Sequence, residues 1–357
     1  MPFKKSPCGT WVPARTYPLG SAFSAGDWNQ GPGGGRFVPA MRKEIDMAEK
    51  LENLKMVGAT HIEFHNTEAP ASEAPRLMKL VTDAGLKVGM VTANLFRLPQ
   101  FVGGNLGHPK NEVRKAAIEA TCAYIAAGIE VFDADVYVYW NGSSGVNVPL
   151  GKPYRQTYLS IAESLTGIVR WMVKTYGAER ALPICVEPKF NEPPGWGMPA
   201  DAGEVLAIIA LMPEDARPFV GTNIETCHSK IGMKRFAMEL ALSAASGRNF
   251  HIHLNDGSGA KFDEDRPFGF DWATAVETVY TLTEMKYDHL VGIDVQPFPA
   301  DTGYQQADSI ATSVREFRLA QRAIKHIDAD ILQRLQSRDD DTHILRIFNH
   351  AQRMAID

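Results

Sequence analysis

NFHIHLND at residues 249–256, followed after a polar loop by DWATAVETVYTLTEM at 271–285, couples a short β-forming run to a segment with apolar residues at helical spacing. The first is too short for a helix and ends in polar groups. The second repeats its apolar residues three and four apart, as one face of a helix requires. The same β-then-α construction recurs along the chain. Strand-like runs lie near 18–24 and at 61–66 (HIEFHN), 87–94 (KVGMVTAN), 131–140 (VFDADVYVYW), 182–188 (LPICVEP), 219–225 (FVGTNIE), 249–256 and 290–297 (LVGIDVQP). Helical patterns such as EVRKAAIEATCAYIAAG, 112–128, fill the gaps. Most of these strands are nearly continuous apolar runs, as strands buried on both faces must be. Eight β/α units predict an α/β protein, a (β/α)8 barrel rather than an open sheet. The barrel is expected over 1–325, with a helical C-terminal extension over 326–357. Two long loops depart from a minimal barrel, NQGPGGGRFVP at 29–39 and FNEPPGWGMP at 190–199.

The chain has 357 residues, 45% hydrophobic and 22% charged, with a net charge of −5, which is an ordinary globular balance. The mild acidity, with no basic stripe, argues against a nucleic-acid or membrane partner. No stretch approaches the roughly 18 apolar residues of a membrane span. The start, MPFKKSPCGTW, carries no apolar stretch after its lysines and reads as no secretory signal. Cys8, Cys122, Cys185 and Cys227 are dispersed and form no C-x-x-C, which fits a reducing cytoplasm.

Function is read from where the polar residues fall, because a barrel of this type builds its site at the carboxyl ends of the strands. Those ends carry His65 and Glu68; Thr92, Asn94 and Phe96; Trp140; Glu187 and Lys189; Glu225 and His228; His253 and Asn255, followed by Asp263 and Asp265; and Asp294 with Gln296. Taken singly, each has a structural reading. His65 alone reads better as a hydrogen-bonded core histidine, Glu187 and Lys189 as an ion pair, 263–265 as a solvated acidic turn, and Trp140 and Phe96 as core. His251 alternates with His253 and reads as structural, pointing to the opposite side. The sum is different. Glu187, Glu225, His253 and Asp294 end strands five to eight and converge on one mouth, where three carboxylates repel unless a cation neutralises them. Oxygen ligands with imidazole suit Mg, Mn or Co. A second cluster shares Glu225 and adds His228, Asp263 and Asp265, the arrangement of a carboxylate bridging two cations. One or two divalent cations per subunit are expected.

VEPKFNEP (186–193), GTNIETCH (221–228), FHIHLNDGSGAKFDEDRPFG (250–269), TANLF (92–96), FHNTE (64–68) and YWNG (139–142) resemble the signatures of the xylose isomerase family, in order, from about residue 18 to about 325. The resemblance implies a metal-dependent aldose–ketose isomerase acting on a small sugar, in a homo-oligomer (a dimer or tetramer). It implies one cation at Glu187, Glu225, His253 and Asp294 that grips the sugar. A second, at Glu225, His228, Asp263 and Asp265, promotes a hydride shift. His65, oriented by Glu68, would open the sugar ring, and Lys189 would polarise the carbonyl oxygen. Trp140 and Phe96 would wall the sugar, with Thr92, Asn94 and Asn255 as further substrate contacts. Glu192–Pro193 would be a cis peptide, and Phe37 would reach a neighbouring subunit.

Four positions depart from that pattern. His253 stands where the family usually has aspartate, Glu68 where it has aspartate beside the histidine, and Gln296 where it commonly has lysine. Ser24 stands where it often has a pocket tryptophan, which would leave a larger pocket. A histidine in the acid set is similar to ketose 3-epimerases and rhamnose-type isomerases. That keeps open a one-metal epimerase, or a lyase on an oxidised glycoside, working by proton transfer. A sugar-binding subunit without catalysis is the third reading.

Overall fold

Strands buried on both faces need their ladders satisfied on both edges, and here eight of them achieve it by closing on themselves. The computed structural model describes residues 1–32, 39, 42–192, 195–260, 262–298 and 306–355. The N-terminal β1 (Phe3–Lys5) and β2 (Trp11–Pro13) form an antiparallel ribbon that the sequence did not announce. The barrel strands are β3 (Phe23–Gly26), β4 (His61–His65), β5 (Lys87–Thr92), β6 (Val136–Trp140), β7 (Ile184–Glu187), β8 (Val220–Glu225), β9 (Asn249–Leu254) and β10 (Val291–Ile293). All pair in parallel in chain order, and β10 pairs with β3 to close the ring.

Helices α1 (Met47–Met56), α2 (Ala74–Asp83), α3 (Asn111–Ala127), α4 (Tyr154–Tyr176) and α5 (Ala202–Leu211) follow β3 to β7. After β8 come the short α6 (Thr226–Ile231) and α7 (Phe236–Ala245), then α8 (Trp272–Glu284) after β9 and α9 (Asp308–Ile324) after β10. The chain ends in α10 (Ala329–Gln336) and α11 (Asp341–Met354). Asp46, Asp201 and Asp271 cap α1, α5 and α8 by accepting the backbone N–H of Glu49, Glu204 and Thr274.

Two strand starts differ from expectation by five residues. The first strand begins at Phe23, not near 18, because Pro18–Ser21 is a turn closed by Ser21 N donating to the Pro18 carbonyl (2.8 Å). The fourth begins at Val136, because Gly128–Phe132 winds on from α3 as a π-helical turn and Asp133 reverses the chain in the left-handed region, φ 46°.

The main core lies between the outer faces of the strands and the helices, with Ile62, Phe64, Val91, Ile184, Ile224, Ile252 and Ile293 among its fully buried strand residues. Burial of each such side chain is worth about 1.5–3 kcal/mol. A second, smaller cluster of Met90, Val136, Val138, Cys185 and Phe250 packs inside the barrel, with Trp28 against it. The register then sets the site. His65 pairs with Thr92, Trp140 with Glu187, and Glu225 with His253, so their side chains stand at one height around the mouth. No helix among the described residues is long and apolar enough to cross a membrane.

Candidate active site

A cavity of about 430 Å³ opens at the carboxyl ends of the strands. Its floor is acidic. Glu187, Glu225, His253 and Asp294 come together there, with His253 Nδ1 at 3.2 Å from Glu187, 3.6 Å from Glu225 and 3.8 Å from Asp294. Beside them, His228 Nε2 lies 3.1 Å from Glu225 and 2.9 Å from Asp263, and its Nδ1 lies 3.6 Å from Glu187. Candidate ligand atoms of Glu225, Asp263 and Asp265 form a tight group, as do those of Glu225, His253 and Asp294. Glu225 is common to both.

The electrostatics show a site short of positive charge. Burial, with Asp263 and Glu187 adding to it against His228, raises the Glu225 carboxyl to about 7. Burial and the charges of Asp263, Asp294 and Glu225 push Asp265 well above the carboxylate range. Burial opposes a charged His253, yet Glu63 and the hydrogen-bonding carboxylates around it raise that imidazole well above its ordinary value. The cluster therefore holds protons to neutralise itself. A divalent cation would do the same with less strain. Glu225 Oε2, His228 Nδ1 and Asp263 Oδ1 are buried without a hydrogen-bond partner among the described residues, which buried polar atoms rarely tolerate. The donor set and these orphaned atoms fit hard divalent cations.

The walls are aromatic and cationic. Trp28 stacks near His65 (centroids 4.0 Å apart), and Phe96 meets Trp140 at 4.3 Å. Lys189 lies 2.8 Å from Asp263 and 5.4 Å from the Trp140 ring centroid. His65 Nδ1 lies 3.6 Å from Glu68, which Arg97 approaches at 3.5 Å. Burial lowers His65 to about 4, so the imidazole is neutral at pH 7.

Residues 51–318 match the xylose isomerase-like TIM-barrel family. The chain belongs to that family. Over 273 residues it is 32% identical to the xylose isomerase of Thermus thermophilus, an alignment covering 73% of this chain and 69% of that protein. Among solved structures, an L-ribulose 3-epimerase matches with a TM-score of 0.64 at 15% identity, over 87% of this chain and 98% of the other. A 3-keto-D-glucoside 4-epimerase from E. coli matches with a TM-score of 0.58 at 17% identity, over 80% and 98%. At such identities these likenesses concern the fold.

Of the sequence-predicted residues, His65, Glu68, Thr92, Phe96, Trp140, Glu187, Lys189, His228, His253, Asp263, Asp265 and Asp294 line the cavity. Two do not. Asn94 is buried and binds Asn66 and the Arg97 N–H, and Asn255 is buried behind the acids, donating to Glu225 (2.7 Å) and Asp265 (3.2 Å). Both brace the site from outside the cavity rather than contact it. Ser24 does not open the pocket either. Its hydroxyl is buried against Glu63, and the pocket tryptophan is Trp28, whose Nε1 donates to Asp294 (2.8 Å). His251 is not on the opposite side from His253. Residues two apart on a strand share a face, and both imidazoles approach Glu63. Phe37 and Pro193 lie outside the described residues, and the described cis peptide is Met198–Pro199. Glu63, Asn223, Trp28 and Asn29, whose NH2 donates to Asp294 (2.9 Å), escaped the sequence reading. Inward parity on β4 and β8 would have found the first two, since they sit two residues before His65 and Glu225.

Proposed function

We propose that this chain is a divalent-cation-dependent sugar isomerase that interconverts an aldose and a ketose by a hydride shift between C1 and C2. The supporting observation is the pair of acidic clusters sharing Glu225, set beside Lys189 and an aromatic wall. Glu187, Glu225, His253 and Asp294 would hold one cation (Mg, Mn or Co), and Glu225, His228, Asp263 and Asp265 a second. Bound there, such cations supply Lewis-acid stabilisation of developing alkoxide charge on the sugar oxygens.

The chain's own residues do the rest. Lys189 stays charged: although burial disfavours its ammonium, Asp263 and Asp265 raise its pKa, so it presents a fixed donor to a carbonyl oxygen. Neutral His65 can accept the anomeric hydroxyl proton during ring opening, with Glu68 orienting its other nitrogen. Trp28, Phe96 and Trp140 present apolar faces that exclude water from the reacting carbons. The T. thermophilus relative, a xylose isomerase by name, supports this class of substrate.

A second reading is a one-cation epimerase or a lyase on an oxidised glycoside working by proton transfer. His253 favours it, because one carboxylate fewer surrounds the first cluster. The test is incubation with Mn2+ or Mg2+ and a panel of aldoses and ketoses in D2O, followed by proton NMR. Aldose–ketose conversion without deuterium at C1 or C2 is expected. Deuterium at the reacting carbon sinks the hydride reading in favour of proton transfer. An absence of any conversion refutes both on free sugars.

A further inference from the structure

Glu63 lies deep in the barrel, without exposure, where a carboxylate needs a reason. Its Oε2 is 3.1 Å from His253 Nε2, and its Oε1 accepts the Ser24 hydroxyl and stands 3.6 Å from His251 Nε2. His253 turns its other nitrogen, Nδ1, towards Glu187, Glu225 and Asp294. Asn223 indicates which nitrogen would give up its proton to a cation. Its Oδ1 faces His251 Nδ1 at 2.9 Å, so its NH2 points the other way, 2.5 Å from Glu187 Oε2 and 3.1 Å from His253 Nδ1. Without a cation the surrounding carboxylates favour a proton on both ring nitrogens. A cation in the cluster would displace the one on Nδ1, which faces the Asn223 donor and the carboxylates, and leave the other on Nε2, directed at Glu63. The arrangement is built for two rings. A Cβ at Gly292 would stand 2.5 Å from His253 Cδ2 and 2.8 Å from His251 Cε1, so β10 passes them as bare backbone.

We propose that Glu63 is a positioning residue for the cation site: it holds His253 as the Nε2–H tautomer, with the Nδ1 lone pair aimed into the Glu187–Glu225–Asp294 cluster. It also restores, one layer down, the negative charge that histidine in place of aspartate removes from the cluster. A carboxylate behind a ligating imidazole fixes the ring and strengthens it as a ligand. The inference rests on the cation reading above.

The experiment measures Mn2+ affinity from the EPR signal of free Mn2+, on the full-length wild type, Glu63→Gln, His253→Asp and the double variant, with thermal midpoints to confirm folding. Glu63→Gln is expected to weaken Mn2+ about 10–100-fold. In the His253→Asp background, where Glu63 has no imidazole to hold and faces another acid, the same substitution is expected not to weaken binding. Equal affinity of folded Glu63→Gln and wild type, or equal weakening in both backgrounds, overturns the proposal. The second of those outcomes is what a purely structural carboxylate would give. Wild type that binds no Mn2+ refutes the cation reading itself, a distinct result. If Glu63→Gln does not fold, Glu63→Asp draws the charge back by one methylene and is expected to weaken Mn2+ by a smaller factor; unchanged affinity there overturns the inference as well.

Discussion

Replacing Gly292 by alanine adds one methyl where the barrel has no room. The new carbon would meet His253 Cδ2 at 2.5 Å, His251 Cε1 at 2.8 Å and the Ile252 carbonyl oxygen at 2.8 Å. Carbon contacts settle near 3.5–4.0 Å, so the His253 ring must withdraw by about 1 Å. It has nowhere to go. Glu63 holds it from one side at 3.1 Å, while Asn223 and three carboxylates face it on the other. Overpacking of this kind costs about 1–3 kcal/mol. The pinned ring puts Gly292→Ala at the upper end, about 3 kcal/mol. With about 2.1 cal/mol/K of unfolding entropy per residue over 357 residues, that is a fall of roughly 4 °C in Tm. Calorimetry of the metal-free protein reads it directly. Mn2+ affinity should fall with it, because the displaced imidazole no longer aims Nδ1 at the cluster. In a His253→Ala background, where the ring is gone, the methyl should cost at least about 1 kcal/mol less, a coupling typical of residues in contact. A Tm within 1 °C of wild type, with no coupling, would refute the packing argument.

Cation binding is expected to raise Tm by roughly 3–4 °C at a free Mn2+ of about 100 times Kd, since linkage then supplies about 2.7 kcal/mol. EDTA should reverse the shift, and Glu225→Gln, which touches both clusters, should remove most of it; scanning calorimetry at stepped Mn2+ checks both. Lys189→Met should lower kcat by about 10²–10³-fold while KM changes little, on the sugar that the NMR panel identifies, because the ammonium acts on charge that develops in the transition state. A kcat within tenfold of wild type would remove Lys189 from that role. His65 titrates near 4 in the folded chain because it is buried, against about 6.5 when unfolded. The unfolded chain thus binds the extra proton between those values, so this contribution to stability is complete above pH 6.5 and is lost as pH falls towards 4, up to about 3 kcal/mol. His65→Asn should flatten Tm against pH across that window; an unchanged slope would show that other groups carry it.

The barrel was legible because its strands are short runs buried on both faces, and eight of them alternating with helical spacing leave few architectures. The two misplaced boundaries have local causes. The apolar residues around Pro18 and Leu19 look like strand until Gly20 turns the chain, and Val131 and Phe132 are apolar because they complete a helical turn. The candidate ligands were legible because carboxylates and imidazoles gather at the strand ends and because a family signature surrounds them. What supports them was not. Ser24 was set against a family position without asking what it faces, and Trp28 sat at the edge of a segment read only as a loop. Glu63 vanished inside HIEFHN, where one acid among β-formers looks incidental.

Those omissions share a rule. Inward residues of one strand stand two apart, so below each group at the mouth lies another inward group: Glu63 below His65, Asn223 below Glu225, His251 below His253 and Gly292 below Asp294. On the other side of the barrel the same layer is Met90, Val138 and Cys185, below Thr92, Trp140 and Glu187. The lower layer is thus polar under one half of the mouth and apolar under the other. The polar half sits beneath the histidine-bearing cluster, where an imidazole has a second nitrogen to satisfy and a carboxylate in its place would not. Exchanging aspartate for histidine at 253 therefore asks for more than one substitution. It requires an acceptor at 63, an amide at 223 to face the other nitrogen and a glycine at 292 to admit the ring, and all three are present. Those three positions fit an imidazole facing a cation site, and they are why His253 does not read as a site in decay.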